Sequence, residues 1–162
     1  MAKPISTIMV YIDGTEQSVT AAQYAICLAS YMQAELIAHY VVNVRAVEDL
    51  LKARIFLRDE QVEYEHDMEA DADRYLNYVA DLAQKKGITI VKKRSRGSVH
   101  KQILDAVNEY EVDLLVVGEL ARIRSRRDEF YDEAERAMRT VPCSVLIVKD
   151  EDRVWQLYES LA

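Results

Sequence analysis

Residues 112–118 read VDLLVVG, an almost unbroken run of branched apolar side chains that stops at a glycine. Such a run predicts a strand at 112–117 that is buried on both faces, because a half-exposed strand would alternate apolar and polar residues. Residues 6–12, STIMVYI, have the same character and stop at Asp13-Gly14. Three further segments are also predicted as strands, at residues 35–42, 88–94 and 144–149.

Helical patterns lie between these strands. Thr15 or Ser18 is suited to cap a helix that runs to about Met32, and Ser98 is suited to cap another. A long helical stretch precedes residue 87, and a last helix is expected at about 128–139. Because parallel strands need connections of helix length, the alternation predicts a doubly wound, Rossmann-like α/β fold with helices on both faces of the sheet. In such folds, ligands bind at the carboxyl ends of the strands.

The composition is that of one globular domain. The chain has 162 residues, of which 50% are apolar and 30% charged, and its net charge is −7. This charge argues against a dedicated nucleic-acid-binding protein, because phosphate binding rests on a basic surface. The apolar runs stop far short of the roughly 20 residues that a membrane span needs, and the N-terminus does not have the pattern of a secretory signal. We therefore expect a cytoplasmic protein without a membrane span, with Cys27 and Cys143 unpaired.

Charge is distributed unevenly along the chain. Eight acidic residues lie between positions 58 and 73, and basic stretches follow at 85–101 and 122–127. An acidic run on a long helix is typical of a solvated face, so we interpret these acids as pointing away from the core.

Several of these segments together resemble one known family. They are DGTEQS at 13–18 after the first strand, an Ala-rich first helix, Gly97 ahead of a helix, VDLLVVG at 112–118, and VPCSVLIV at 141–148. In this order and spacing they resemble the universal stress protein (UspA-like) family over residues 5–149. The resemblance implies a five-stranded parallel sheet of order 3-2-1-4-5 and a homodimer formed through the last strand, which begins at Ser144 and ends at Lys149. It divides the chain into a family domain at 1–150 and an amphipathic extension at 151–162.

The family's phosphate-binding motif is incomplete in this sequence. Members that bind ATP follow the pattern Gly-x2-Gly-x9-Gly and then Ser or Thr, starting at the end of the fourth strand. Gly118 holds the first position, but Ala121 holds the second, and Tyr131-Asp132 replaces the Gly-Ser pair. A phenol would fill the space of phosphate oxygens, while acids at a helix start suit the helix dipole only when no anion binds there. We therefore expect a universal stress protein of the class that does not bind ATP, without a cofactor, acting as a stress-response or regulatory binding protein.

The alternative is an adenine-nucleotide-binding member with an altered phosphate loop. By resemblance, Asp13 lies beside the nucleoside and Val41 lies where the backbone contacts adenine. Arg122 and Arg124 could then bind phosphates of ATP or AMP from the same loop as Gly118, with at most slow hydrolysis. These arginines could equally pair with neighbouring acids or face an acidic protein partner, and Asp13 could simply stabilise a turn.

No catalytic or metal site is predicted. His39, His66 and His100 lack the spacing of a metal site, and no serine lies in a nucleophile-elbow motif, so we expect a protein that is not an enzyme. In the extension, Val154, Trp155 and Tyr158 form an apolar stripe that must cover either the chain's own sheet edge or a partner subunit. We favour the partner subunit.

Overall fold

Five parallel strands form one sheet of order β3-β2-β1-β4-β5 in the computed structural model, which describes residues 3–44, 48, 51–53, 58–120 and 133–162. The strand order and the parallel pairing confirm the predicted fold. The described strands and helices are β1 (Thr7–Ile12), α1 (Glu16–Met32), β2 (Glu35–Val42), α2 (Arg58–Gln84), β3 (Val91–Arg96), α3 (Val99–Glu109), β4 (Leu114–Gly118), α4 (Glu133–Thr140), β5 (Ser144–Val148) and α5 (Glu151–Ser160).

Helices cover both faces of the sheet because each strand sends alternate side chains to opposite sides. Ile8, Val10 and Ile12 of β1 are buried in a cluster with α1, α2 and α5, whereas Met9 is buried in a second cluster with α3 and α4. The two clusters make the doubly wound arrangement. Within the described ranges, no helix is long and apolar enough to cross a membrane.

Strand β3 is placed differently from its prediction at 88–94. The chain first has to end α2: Gly87 adopts φ +74°, and the amide of Ile88 donates to the Ala83 carbonyl at 3.0 Å. Pairing with β2 therefore begins only at Val91 and continues through the polar residues to Arg96. Because β3 is an edge strand with alternating exposure, its polar half does not look like a strand in the sequence.

The extension forms helix α5, which packs on its own subunit. Val154 and Tyr158 are buried in the same cluster as α1 and α2, and the Tyr158 hydroxyl donates to the Leu82 carbonyl at 2.7 Å. Asp150 begins the helix by accepting a hydrogen bond from the Arg153 amide. Helices α1 and α2 of the same subunit therefore cover Val154 and Tyr158, whereas Trp155 of the same stripe is 50% exposed. A contact between the extension and a partner subunit stays a prediction.

Tyr158→Phe should destabilise the fold by about 1 kcal/mol, because the change removes one buried hydrogen bond and leaves the ring in place. Urea unfolding would measure the loss. Tyr31→Phe is the matched control, since Tyr31 is 85% exposed and its hydroxyl should contribute little. Equal stability of the two variants would mean that the Leu82 hydrogen bond does not anchor α5.

Candidate functional site

The carboxyl edge of the sheet begins with a turn built on Asp13. Its Oδ1 accepts hydrogen bonds from the Thr15 amide at 3.0 Å and from the Thr15 hydroxyl at 2.6 Å. The Thr15 Oγ1 in turn accepts from the Ser18 amide and caps α1. Through Oδ1, Asp13 thus stabilises the turn and orients the start of α1.

Gly118 lies where α1 approaches the end of β4. A Cβ at this position would stand 2.4 Å from the Gln17 carbonyl oxygen and 2.6 Å from its carbonyl carbon. Both neighbours are backbone atoms, so they cannot turn aside as the end of a flexible side chain would. The glycine therefore has a packing role that is independent of any phosphate.

The structure brings Asp13, Val41 and Gly118 to the same edge. The paired register of β1 and β2 ends at Ile12 and Tyr40, so Asp13 and Val41 are the next residues of adjacent strands. The Val41 side chain is buried against the α3 face of the sheet. Arg122 and Arg124 lie outside the described residues, as do Ala121, Tyr131 and Asp132.

An aromatic pair covers the first loop, and the sequence did not reveal it. The rings of Tyr40 and Tyr75 stack with centroids 6.2 Å apart and planes 8° from parallel. A Cβ at Gly14 would lie 2.9 Å from the Tyr75 ring, so the pair packs directly on this loop. Burial, followed by the negative charges of Asp13 and Asp71, raises the pKa of Tyr40. The sequence pattern does not identify the Tyr75 partner on β2, because that contact joins a strand and a helix 35 residues apart.

Helix α2 and strand β3 are joined by a ladder of polar contacts. Residues two apart on a strand advance by about 6.6 Å, and residues four apart on a helix advance by about 6 Å. Every second residue of a strand can therefore contact every fourth residue of an antiparallel helix. The contacts are Arg96 with Glu65 at 2.5 Å and with Glu69 at 3.0 Å, Arg94 with Asp73 at 2.7 Å, and Lys92 with Asn77 at 2.9 Å. The acidic run is therefore not simply a solvated face: part of it pairs with the basic run that follows.

A second carboxylate contact closes the start of α3. The Glu133 carboxylate, in the first turn of α4, pairs with His100 Nδ1 and accepts from the His100 amide at 3.2 Å. Although burial acts to raise the pKa of Glu133, the hydrogen bonds and charge of His100, with Arg136 nearby, hold it below its ordinary value. Glu133 therefore satisfies one backbone amide at the N-terminus of α3.

The arrangement of Ser98, His100 and Glu133 does not form a catalytic relay. The Ser98 hydroxyl lies 3.0 Å from His100 Nδ1, the same ring nitrogen that meets Glu133. A relay needs one partner on each ring nitrogen. In the part of the chain that the structure describes, no cluster of three or more His, Cys, Asp or Glu side chains is suited to hold a metal.

Comparison with known proteins agrees with this fold. The model of the universal stress protein family matches residues 4–149. A universal stress protein of Methanocaldococcus jannaschii is 28% identical over 142 residues, which cover 88% of this chain and 81% of that protein. The crystal structure of a universal stress protein in complex with cAMP is similar with a TM-score of 0.68, 24% identity and coverage of 91% of this chain and 99% of that one. An AMP-bound family member from Arabidopsis thaliana has a TM-score of 0.64 at 12% identity, with 91% and 94% covered.

The fold and its carboxyl edge define an α/β protein of the doubly wound class. Since the family model spans nearly the whole domain, this chain belongs to the universal stress protein family.

Gly118→Ala should lower the free energy of unfolding by about 1–3 kcal/mol, because the new methyl group must push the first turn of α1 away from β4. Urea unfolding measures the change. Gly87→Asn is a suitable control, since a Cβ at Gly87 meets no atom within 4 Å and Asn tolerates its positive φ. A fully stable Gly118→Ala variant would show that Gln17 moves freely and would remove the packing explanation for this glycine.

Proposed function

We propose that this chain is a regulatory universal stress protein that does not hold ATP and acts by binding rather than by catalysis. The observation that carries the proposal is that groups able to hold phosphate at the carboxyl edge are already bound to the chain's own carboxylates. A triphosphate would have to displace these carboxylates or approach them against like charge.

Arg96 is the first such group. It lies at the end of β3, where a guanidinium could bind a phosphate by two parallel hydrogen bonds. Its two terminal nitrogens instead donate to Glu65 and Glu69 of α2. The guanidinium is therefore neutralised within the fold.

The starts of two helices provide the other groups. Backbone amides at a helix N-terminus attract anions, and this is how the fold usually holds phosphate. At α3, the His100 amide donates to Glu133; ahead of α1, the Thr15 amide donates to Asp13. Together with Ala121 and Tyr131-Asp132 in place of the motif residues, these acids favour a site without triphosphate.

An adenine-nucleotide-binding protein is the second candidate. It is favoured by the position of Asp13 beside Val41 at the sheet edge, and by the cAMP and AMP found in the two structural relatives. In this version Gly118 would line the phosphate loop, and Arg122 and Arg124 would replace the missing glycines with side-chain donors.

Isothermal titration of nucleotide-stripped protein with ATP, AMP and cAMP in the presence of Mg²⁺ separates the two candidates. We expect no heat of binding up to millimolar nucleotide. Micromolar binding that is lost in the double variant Arg122→Gln/Arg124→Gln would contradict the proposal and establish the second candidate. The triple variant Ala121→Gly, Tyr131→Gly and Asp132→Ser restores the motif and should gain ATP affinity, which provides a positive control.

We further propose that the protein acts in the cytoplasm as a homodimer through β5. The support for the dimer is the position of β5 at the edge of the sheet, with Ile147 37% exposed on it. An unpaired edge strand offers backbone donors and acceptors to a second copy. The support for the cytoplasm is that Cys27 and Cys143 are both free thiols.

Ile147→Lys should weaken this dimer at least tenfold, because burying an unpaired ammonium at the interface is costly. Sedimentation velocity over a concentration series measures the dissociation constant. Tyr31→Lys, at a residue 85% exposed on the helix layer, is the control for added charge and should leave the dimer intact. An unchanged sedimentation profile for Ile147→Lys would exclude β5 as the contact.

A further inference from the structure

His39 is a fully buried polar side chain in the middle of β2, and no described part of the site uses it. Its exposed fraction is 0%, and Nε2 lies 2.5 Å from the Ser95 hydroxyl of β3. Nδ1 has no hydrogen-bond partner among the residues that the structure describes. A neutral imidazole tolerates one unpartnered acceptor nitrogen, whereas an imidazolium there would bury an unsatisfied donor.

Among the residues that the structure describes, no carboxylate contacts the His39 ring. In the sheet, His39 is paired with Tyr11 of β1 and with Lys93 of β3. The Lys93 ammonium forms an ion pair with Glu109 of α3 at 3.3 Å. The inward side of α3 is apolar, and its titratable residues lie outside that stripe. The buried residues are Val99, Ile103, Ala106 and Val107; the titratable ones are His100, Lys101, Asp105 and Glu109.

Protonation of His39 is therefore unfavourable in the folded chain. Burial, followed by the positive charge of Lys93, lowers the pKa of His39 from 6.5 to about 4. In a state where the ring meets water, the ordinary value of about 6.5 returns. Between these two values, acid favours any state that exposes His39.

We propose that His39 is an acid-sensitive latch: its protonation favours a state in which β3 and α3 separate from β2 and admit water to the ring. These two elements pack against β2, β3 along its edge and α3 on one face of the sheet. In the sheet, β3 is an edge strand held by β2 alone, and its other side chains alternate towards solvent. Strand β1, by contrast, is paired on both edges.

The direction and size of the effect follow from proton linkage. A folded pKa below the open-state value means that stability is present above about pH 6.5 and is lost as pH falls towards 4. Between pH 7 and pH 5 the opening equilibrium should therefore rise about 20-fold.

Amide hydrogen exchange read by mass spectrometry tests the latch on the full-length protein. After correction for intrinsic rates, peptides from β3 and α3 should exchange about 20-fold faster at pH 5 than at pH 7, while peptides from the centre of α1 change much less. His39→Leu, which keeps an apolar side chain in the core, should abolish this difference. His66→Leu removes an exposed histidine of α2 and should retain it.

Either of two outcomes would overturn the proposal. One is an equal rise in exchange in His39→Leu and in wild type. The other is an NMR titration of wild-type protein in which the His39 ring protonates near 6.5 without any change in β3. The titration needs no variant, so it decides the question even if His39→Leu does not fold.

Discussion

The burial of β1 on both faces and along both edges is the constraint on which the rest of the structure depends. Ile8, Met9, Val10 and Ile12 are wholly inaccessible to solvent, and the strand pairs with β2 on one side and β4 on the other. The described helices that cover the sheet therefore pack on one of its two faces, and β1 lies at the centre of both faces. The chain leaves β1 at the carboxyl edge through Asp13, which must both end the strand and start α1. The location of the candidate site is thus a consequence of the same burial.

At the carboxyl edge of the sheet, groups that could bind an anion are paired with carboxylates of the same chain. An acidic chain would be expected to repel phosphate in general, but the specific contacts matter more than the net charge because they occupy particular donors. Arg96 is held by two glutamates, and the start of α3 is held by Glu133. In this fold, the donors at helix starts usually bind anions. In this chain, the donors named above already bind the chain's own carboxylates. The altered motif and these engaged donors point in the same direction, although they were identified independently, one from the sequence and the others from the geometry.

The sequence predicts most of the fold because continuous apolar runs and helical periodicity are local signals. The bounds of β2 are predicted without error for this reason. What the sequence misses depends on which elements become neighbours: β3 begins late because α2 needs residues to end, and the acids of α2 find arginines 21 to 31 residues away. The Tyr40–Tyr75 stack is likewise set by packing between a strand and a helix. The packing of α5 on α1 and α2 is not predicted, because an amphipathic stripe requires an apolar surface but does not specify which elements supply it.

Strand β3 shows how these polar contacts differ in their response to acid. On one face of β3, Arg94 and Arg96 pair with carboxylates of α2. On the other face, Ser95 contacts His39. The hydrogen bond from Gln61 lowers the pKa of Glu65; burial opposes this effect and Arg96 adds to it. The contact between Glu65 and Arg96 therefore persists into more acidic solution. The contact between His39 and Ser95 weakens once the pH falls to about 6.5, where the exposed form of His39 begins to bind protons. Acid should therefore release β3 from β2 while the contact between Arg96 and Glu65 of α2 persists.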